Sequence, residues 1–448
     1  MNSNRYKVNK YVIFMNENDK YYIYNTLTGY LYRISRKKFM ELQKLKRESF
    51  LLEDIKDFNI EEKNILIEKQ FLLPLNVNEI QLGKYYFDRM RYNTTVLNLV
   101  ICPTLRCNLA CTYCFEENRK KSSDMSFLVM NKIIHWIIKY CKEHDVKSIT
   151  IQWYGGEPLL RFQFIEYFLQ KLEENINIEK LKTVEKVRSI IITNGTLLTD
   201  EILQKIAKLK IKAIQICFDG DKDTHDKMRI YKNGRGSFDL IYKNLKNGVM
   251  KYPQIKFIIR INVTRKNVQS IKRLIRRMGK DDLYRSNVLV GMRPVLDSPF
   301  NTHFPVSDCL GNLESYEMIY ELYKELANNG YRFSYLPFVY NTCGVFMESS
   351  FVIDPEGYLY KCEEVVGLNE YAVGHVSKGV DIAKLSKWMY TNAWDSPEEF
   401  KECFSCELLP YCFGGCVLPV VVNNGKPRCR EFRGILPKII SLYIQYRR

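Results

Sequence analysis

The sequence predicts an α/β protein in which most of a β/α barrel lies between a small N-terminal α+β domain and a C-terminal cysteine-rich domain. Between about residues 95 and 300, short apolar runs alternate with stretches of helical periodicity, as a parallel sheet with crossover helices requires. Residues 1–90 contain no cysteine, whereas residues 335–448 contain seven of the chain's 14. A chain of 448 residues is also too long for one ordinary core, so several domains are expected.

The N-terminal domain is predicted to span residues 1–90. Two β-rich runs, Tyr21–Asn25 and Leu31–Ser35, flank a turn-forming segment that contains Gly29, and this pattern indicates a hairpin. Two helical stretches follow, and the strand-like Phe71–Pro74 comes after the second. We interpret this order of elements as a winged-helix-like α+β domain.

The middle domain, residues 91–310, is predicted to be a partial (β/α)6 TIM barrel. Six strand candidates alternate with helical stretches, which gives an open parallel sheet rather than the eight units of a closed barrel. The six candidates are Leu97–Ile101, Ile149–Trp153, Ser189–Thr193, Ile214–Phe218, Phe257–Val263 and Val288–Met292. The third domain is predicted to span residues 311–448.

Chemically distinctive residues follow directly after the first four strand candidates. Cys107–Cys114 follow the first, Gly155–Pro158 the second, Asn194 with Gly195 the third, and Asp219 with Gly220 the fourth. The loops at the carboxyl ends of barrel strands build the active site of this architecture. The sequence therefore predicts one shared site at this end of the barrel.

Composition narrows the class of protein. The N-terminus lacks a signal peptide, and no stretch approaches the ~20 apolar residues that span a bilayer, so we expect a cytoplasmic protein without a membrane partner. The formal net charge is +17, with Lys and Arg scattered along the whole chain. A solvated basic surface, an acidic peptide partner and nucleic acid are all compatible with this charge.

Cysteine is the informative residue type. Without a secretory signal, clustered cysteines indicate metal binding rather than disulfides, and only five histidines are present. Cys107, Cys111 and Cys114 have CxxxCxxC spacing. A 4Fe–4S cluster normally takes four thiolates, so three on one loop leave an iron open for a small molecule. A zinc site is the alternative, although the nearest other cysteine, Cys102, is expected to close the first strand.

On these residues the chain resembles the radical S-adenosylmethionine (SAM) superfamily. The resemblance implies a SAM-binding 4Fe–4S cluster on the three cysteines, a reductant such as flavodoxin or ferredoxin, and hydrogen abstraction from substrate by a deoxyadenosyl radical. It also implies a set of SAM contacts on the loops that follow the strands. These residues are Tyr113, Gly155, Gly156, Glu157, Asn194, Arg229 and Asn262.

The C-terminal cysteines resemble a SPASM domain, the auxiliary iron–sulfur extension of peptide-modifying radical SAM enzymes. The resemblance implies two auxiliary 4Fe–4S clusters with interleaved ligands. Cys403, Cys406, Cys412 and Cys429 would hold one, and Cys343, Cys362 and Cys416 would hold the other. For the fourth ligand of the second cluster, either Cys309 folds back or one iron stays open to a substrate thiolate.

Cys102, Cys141 and Cys217 lie in strand or helix patterns, and we expect them to be packed thiols. A zinc-ribbon-like module in a nucleic-acid-binding protein is the alternative for the C-terminal cysteines. We disfavour it, and with it a nucleic-acid partner, because a zinc ribbon does not need the barrel.

Two enzyme functions fit the resemblance. The first is maturation of a ribosomally made precursor peptide, with residues 1–90 capturing its leader as an added strand and the enzyme forming a thioether or other cross-link. The second is anaerobic sulfatase maturation, which converts Cys or Ser to formylglycine with a general base directly after a cysteine. Glu363, which follows Cys362, is the candidate catalytic residue, although that family has Asp there. A non-catalytic metal-cluster protein that binds nucleic acid is a distant third.

Overall fold

A computed structural model describes residues 5–116, 119, 124–300, 303–311, 313–331, 343–429 and 434–446. Within these ranges the chain forms two compact units. The barrel unit contains residues 93–331 and 344–389, and the terminal unit contains residues 5–92, Cys343 and residues 390–446.

The strands and helices are numbered in chain order. The strands are β1 (Arg5–Val8), β2 (Val12–Glu17), β3 (Lys20–Asn25), β4 (Leu31–Ile34), β5 (Phe50–Leu51), β6 (Leu72–Pro74), β7 (Val96–Thr104), β8 (Ser148–Gly155), β9 (Lys186–Thr193), β10 (Ala213–Phe218), β11 (Lys256–Val263), β12 (Val288–Pro294), β13 (Ser350–Ile353), β14 (Tyr358–Tyr360), β15 (Gly374–His375) and β16 (Gly379–Val380). The helices are α1 (Arg36–Lys44), α2 (Ile60–Glu68), α3 (Glu79–Arg91), α4 (Phe127–His144), α5 (Phe162–Ile178), α6 (Asp200–Lys208), α7 (Lys222–Met228), α8 (Phe238–Lys251), α9 (Val268–Lys280), α10 (Leu313–Asn328), α11 (Ile382–Met389), α12 (Leu409–Cys412), α13 (Leu418–Asn423) and α14 (Leu436–Tyr446).

The barrel unit is built on one 10-stranded sheet with the order β12-β11-β10-β9-β8-β7-β13-β14-β15-β16. All six predicted barrel strands are present as β7 to β12, and they pair in parallel with their neighbours in the chain. The α/β class and the central parallel sheet are therefore confirmed. The sheet continues past β7 through β13, which is parallel to β7, and ends in the short antiparallel strands β14 to β16.

Alternation along these strands divides the core from the site. In β8, for example, Ile149, Ile151 and Trp153 are fully buried, whereas Gln152 and Tyr154 on the other face are half-buried. Successive side chains of a strand point to opposite faces, so one face packs against the helices and the other is left for polar groups. Several helices begin at side-chain caps; Thr199, for instance, accepts a hydrogen bond from Ile202 N at the start of α6.

The N-terminal part of the terminal unit has two three-stranded sheets, β5-β1-β6 and β2-β3-β4. The predicted hairpin is present, since β3 and β4 pair antiparallel with Tyr24 opposite Leu31. One apolar core, which includes Ile23, Phe39 and Phe71, joins the sheets to α1 and α2. These elements agree with the predicted α+β composition, and the winged-helix assignment stays a prediction.

The C-terminal part of the same unit packs against α3. The Phe87 ring stacks on Trp394 with centroids 5.0 Å apart, and it lies 4.9 Å from the Phe413 ring. Arg91 is almost fully buried and forms an ion pair with Asp395. Residues 5–92 and 390–446 thus share one core.

No helix in the described part of the chain is long and apolar enough to cross a membrane.

Candidate active site

The loop with CxxxCxxC spacing follows β7 and is held by backbone hydrogen bonds on both sides. On one side Ala110 N donates to Ile230 O at 2.7 Å, and Thr112 N donates to Met228 O at 3.0 Å. On the other side Glu157 N donates to Arg106 O at 2.8 Å. The segments that follow β8 and α7 therefore fix the backbone that carries Cys107, Cys111 and Cys114.

Gly155 and Gly156 permit this close approach. Gly155 has φ of +103°, a conformation that glycine adopts readily, and a Cβ atom there would clash with Thr104 O. A Cβ atom on Gly156 would clash with Arg106 O. Both glycines thus support the cysteine loop directly, whereas the contact with SAM that was predicted for them stays a prediction.

The three loop cysteines are half-buried thiols. Burial raises the pKa of Cys107 and of Cys111 to about 12, and that of Cys114 to about 11. In the metal-free chain these thiols are protonated, so a cluster must displace the protons as it binds. Among the described residues no group of His, Cys, Asp or Glu is arranged for a single metal ion. A thiol-only donor set on one loop fits an iron–sulfur cluster, whose thiolates bind separate iron atoms.

Glu157 is fully buried and connects the ends of β8 and β9 through hydrogen bonds. Its carboxylate accepts hydrogen bonds from Leu159 N at 2.9 Å, Thr193 Oγ1 at 2.8 Å and Asn194 N at 2.7 Å. Burial raises the pKa of Glu157, and these hydrogen bonds lower it. The side chain of Asn194 lies 3.8 Å from the Cys107 sulfur, so Glu157 orients a residue that touches a predicted cluster ligand.

The Tyr113 hydroxyl is a meeting point for Arg229 and Asn262. All three residues are predicted to contact SAM. That hydroxyl donates to Asp219 at 2.8 Å and accepts from Arg229 Nη1 at 2.8 Å and from Asn262 Nδ2 at 2.9 Å. Burial raises the pKa of Asp219, and Arg229 opposes that rise. Asn267 donates to the backbone carbonyls of Asp219 and Asn262 and so ties together the ends of β10 and β11.

Hydrogen bonds among the residues around Arg229 position its backbone. His225 is fully buried, and its Nε2 lies 3.2 Å from Ser237 Oγ, which in turn donates to Arg229 O at 2.6 Å. Asp226 accepts from Phe238 N at 2.8 Å. Burial lowers the pKa of His225 well below its usual value, and Arg229 and Lys222 add to this effect. The imidazole is therefore neutral at pH 7.

A second polar cluster lies on the inner face of the sheet around Glu363. Gln152 Nε2 donates to Glu363 Oε1 at 2.9 Å, and Arg260 Nε donates to Asn262 Oδ1 at 3.1 Å. Burial raises the pKa of Glu363, whereas Arg260 and Gln152 lower it. Burial also raises the pKa of Glu116 to about 7, and Glu116 Oε1 has no hydrogen-bond partner among the described residues. The predicted catalytic carboxylate thus shares its surroundings with a second carboxyl group.

Several residues of these networks were not predicted. The sequence predicts Asp219 at the shared site, after the fourth strand, but gives it no role, and it does not single out Gln152, Arg260 or Glu116. Gln152 lies on β8 and Arg260 on β11, each between apolar neighbours in the sequence. Because a polar side chain in such a position needs a hydrogen-bond partner, alternation along the two strands could have identified both residues.

The cysteines outside the proposed clusters behave differently from one another. Cys102 and Cys141 are fully buried, as expected of packed thiols. Cys217 is only half-buried and lies on the same face of β10 as the half-buried Gln215, so the expectation of a packed thiol is wrong there. The Cys309 sulfur lies 3.7 Å from the Pro305 carbonyl.

Turns connect the C-terminal cysteines of the terminal unit. Cys406 N donates to Cys403 O at 3.0 Å, and Cys412 follows one helical turn later in α12. Cys416 exchanges two backbone hydrogen bonds with Arg428, and this pairing brings the segment of Cys429 alongside. The donors are again thiols without histidine, which fits an auxiliary iron–sulfur cluster.

Comparisons with known proteins agree with this geometry. Residues 101–304 match the model of the radical SAM superfamily. The cysteine-type anaerobic sulfatase-maturating enzyme of Clostridium novyi (strain NT) is 25% identical over 370 residues, 77% of this chain and 96% of that protein. The radical SAM cyclopropyl synthase TigE of Paramaledivibacter caminithermalis is 21% identical over 487 aligned positions, 98% of this chain and 97% of that protein.

Two solved structures share the fold. Native anSMEcpe with bound AdoMet gives a TM-score of 0.60 at 20% identity, covering 78% of this chain and 99% of that chain. Streptococcus suis SuiB bound to precursor peptide SuiA gives a TM-score of 0.51 at 18% identity, covering 95% of this chain and 99% of that chain.

The fold and the cysteine loop define an iron–sulfur enzyme that uses SAM. Residues 101–304 form a radical SAM domain, and the chain is an enzyme homologous to anaerobic sulfatase maturases and to a cyclopropyl synthase. Its cofactors are SAM and a 4Fe–4S cluster, which together supply a carbon radical that removes a hydrogen atom from substrate. The alternative of a non-catalytic protein is thereby excluded.

Proposed function

We propose that this enzyme modifies a ribosomally made precursor peptide and that it forms a thioether or another cross-link. Cys107, Cys111 and Cys114 would hold the SAM-binding cluster. A hydrogen-bonded cluster of Tyr113, Arg229 and Asn262 would orient SAM beside it. A reductant such as flavodoxin or ferredoxin would supply the electron.

The observation that carries the proposal is the open edge of β4. In the described part of the chain β4 pairs only with β3, at the end of the sheet. Asn25 N donates to Tyr30 O, so alternation along the ladder turns the N–H and C=O groups of Leu31 and Arg33 away from β3. An extended leader peptide could add to this edge through main-chain hydrogen bonds. The structural relative SuiB has been solved with its precursor peptide, which supports a peptide substrate.

The auxiliary clusters are part of the same proposal. Cys403, Cys406, Cys412 and Cys429 would hold one cluster, and Cys343, Cys362 and Cys416 would hold the other. Their role would be to accept the electron left after hydrogen abstraction or to bind a substrate sulfur.

Anaerobic sulfatase maturation is the second candidate, and the position of Glu363 favours it. Glu363 follows Cys362 and is held by Gln152 on the inner face of the barrel sheet, where a general base for the substrate is needed. Sequence similarity to the Clostridium novyi enzyme, however, covers 77% of this chain, whereas that to TigE covers 98%. The length of the second match favours a peptide maturase.

A substitution at the β4 edge tests leader capture. Arg33→Pro removes an outward N–H from an exposed position, and an edge strand tolerates proline where no ladder hydrogen bond is lost. We expect leader affinity, measured by fluorescence anisotropy with a labelled leader, to fall at least tenfold. Arg33→Ala, which keeps the N–H, should retain most of the affinity.

Equal leader binding by Arg33→Pro and the unaltered enzyme would contradict capture at β4. The product then separates the two functions by mass spectrometry. Formylglycine made from Ser and a cross-link both remove two hydrogen atoms, so the fragment ions decide. A bond between two residues identifies a cross-link, whereas an aldehyde at one residue of a sulfatase-derived peptide would support the second candidate.

A further inference from the structure

The N-terminal domain contacts the loop that carries the proposed auxiliary ligands, and both belong to the terminal unit. Lys10 Nζ donates to the carbonyl of Phe404 at 3.0 Å. Phe404 lies between Cys403 and Cys406, whose backbones form a turn through the hydrogen bond from Cys406 N to Cys403 O. The ammonium group of Lys10 is therefore fixed at the turn that holds two proposed cluster ligands.

Lys10 is held in this place from several directions. Its backbone N–H donates to Glu79 Oε1 at 2.6 Å, and its ammonium lies 4.9 Å from the centroid of the Tyr11 ring. Tyr11 is fully buried, and its carbonyl accepts from Thr26 N at 3.0 Å. The hydroxyl of Thr26 donates to the carbonyl of Glu407, one residue past Cys406. The N-terminal segment is thus anchored on the cysteine loop at two separate carbonyls.

Charges of both signs lie near this loop, since Glu402 precedes Cys403 and Glu407 follows Cys406, and Lys10 is a cation fixed at the turn between them. The carboxylate of Glu79 is shared between the backbone of Lys10 and the ammonium of Lys7, 3.3 Å away. Glu79 thus forms its ion pair with Lys7, whereas the ammonium of Lys10 donates to the Phe404 carbonyl. An iron–sulfur cluster gains a negative charge when it is reduced, and nearby charge and hydrogen bonding set its potential. A fixed cation in partly buried surroundings stabilises the reduced form more than the oxidised form.

We propose that Lys10 raises the reduction potential of the auxiliary cluster at Cys403, Cys406, Cys412 and Cys429, so that the N-terminal domain is part of the cluster's environment. This inference rests on the ligand set given under the proposed function. It assigns residues 1–90 a role in electron acceptance besides the capture of a leader.

The test is a redox titration, followed by electron paramagnetic resonance, of the full chain without any peptide. The background is the Cys107→Ala, Cys111→Ala, Cys114→Ala triple variant, which removes the signal of the SAM-binding cluster. Lys10→Gln keeps a donor for the Phe404 carbonyl and removes the charge, so we expect a shift to lower potential in one auxiliary signal. Lys10→Arg should restore the potential, and the exposed Lys44→Met should leave it unchanged.

An unchanged potential in Lys10→Gln, with full iron content, would overturn the proposal. If Lys10→Gln loses iron, Lys10→Met is titrated in its place, and loss of iron there too would overturn the proposal in favour of a purely structural lysine. A titration in which no auxiliary signal is present in the parent chain would refute the ligand set itself. A failed leader or product assay, by contrast, leaves the measured potential untouched.

Discussion

The buried His225 shows how a residue that touches no cofactor ligand shapes the site. Its imidazole contacts Ser237, and Ser237 holds the carbonyl of Arg229, whose guanidinium donates to the Tyr113 hydroxyl. The His225 ring also packs against Phe218 and Phe238, with centroids 5.4 Å from each. This chain of contacts requires a neutral imidazole, because the surroundings are apolar and two cations lie nearby.

Acid should therefore weaken this part of the barrel unit. The pKa of His225 is lower in the folded chain than in the unfolded one, so the unfolded chain takes up the proton first and stability falls as pH drops below about 6.5. We expect His225→Phe to lose less thermal stability than the unaltered protein between pH 7.5 and pH 5.5, measured anaerobically by circular dichroism. The exposed His135→Phe serves as the control. An identical acid-induced loss in His225→Phe and in the unaltered protein would contradict this account.

Among the structural elements, the loop after β8 determines whether the cysteine loop can keep its backbone path. Gly156→Ala would place a methyl group against the carbonyls of Arg106 and Leu105, and overpacking of this kind costs about 1–3 kcal/mol. We expect lower iron incorporation and weaker absorbance from the SAM-binding cluster, both measured after anaerobic reconstitution. Gly311→Ala, where a Cβ atom meets nothing within 4 Å, is the matched control. Full iron incorporation in Gly156→Ala would show that the loop can move aside.

The elements of the barrel were predictable because their signals are local. Alternation of apolar residues located β7 to β12, and fixed spacing located the cysteine loop. The sequence places Asp219 at the site but does not reveal its role, because that role depends on hydrogen bonds from Tyr113 and Asn262 and on the charge of Arg229, and these residues lie far apart in sequence. Cys217 was misjudged for a related reason, since a half-apolar strand does not reveal which face lines the site. The short strands β13 to β16 have too few residues for a periodic signal.

At the scale of the whole molecule, the two ends of the chain fold as one unit. Sequence separation hid this arrangement, because Phe87 and Trp394 are more than 300 positions apart and neither carries a motif. Gly83 permits the contact, since a Cβ atom there would lie 3.2 Å from the Trp394 ring. Arg91 adds a buried ion pair with Asp395, and breaking such a pair is strongly destabilising.

Removal of residues 1–92 should therefore disable the two proposed auxiliary clusters while sparing the SAM-binding one. Trp394 and Phe413 would lose the Phe87 ring beside Cys412, whereas the barrel unit would keep its own core. We expect the truncated chain to lose about eight iron atoms after reconstitution, the content of two 4Fe–4S clusters, because Cys343 and Cys416 belong to the same unit as the ligands of the other auxiliary cluster. The milder Phe87→Ala should cost about 3–5 kcal/mol and lower the auxiliary iron content in part. If the truncated chain kept its full iron content, the C-terminal cysteine region would have to fold without the N-terminal domain, and a loss of leader binding in that variant would then report on the leader site alone.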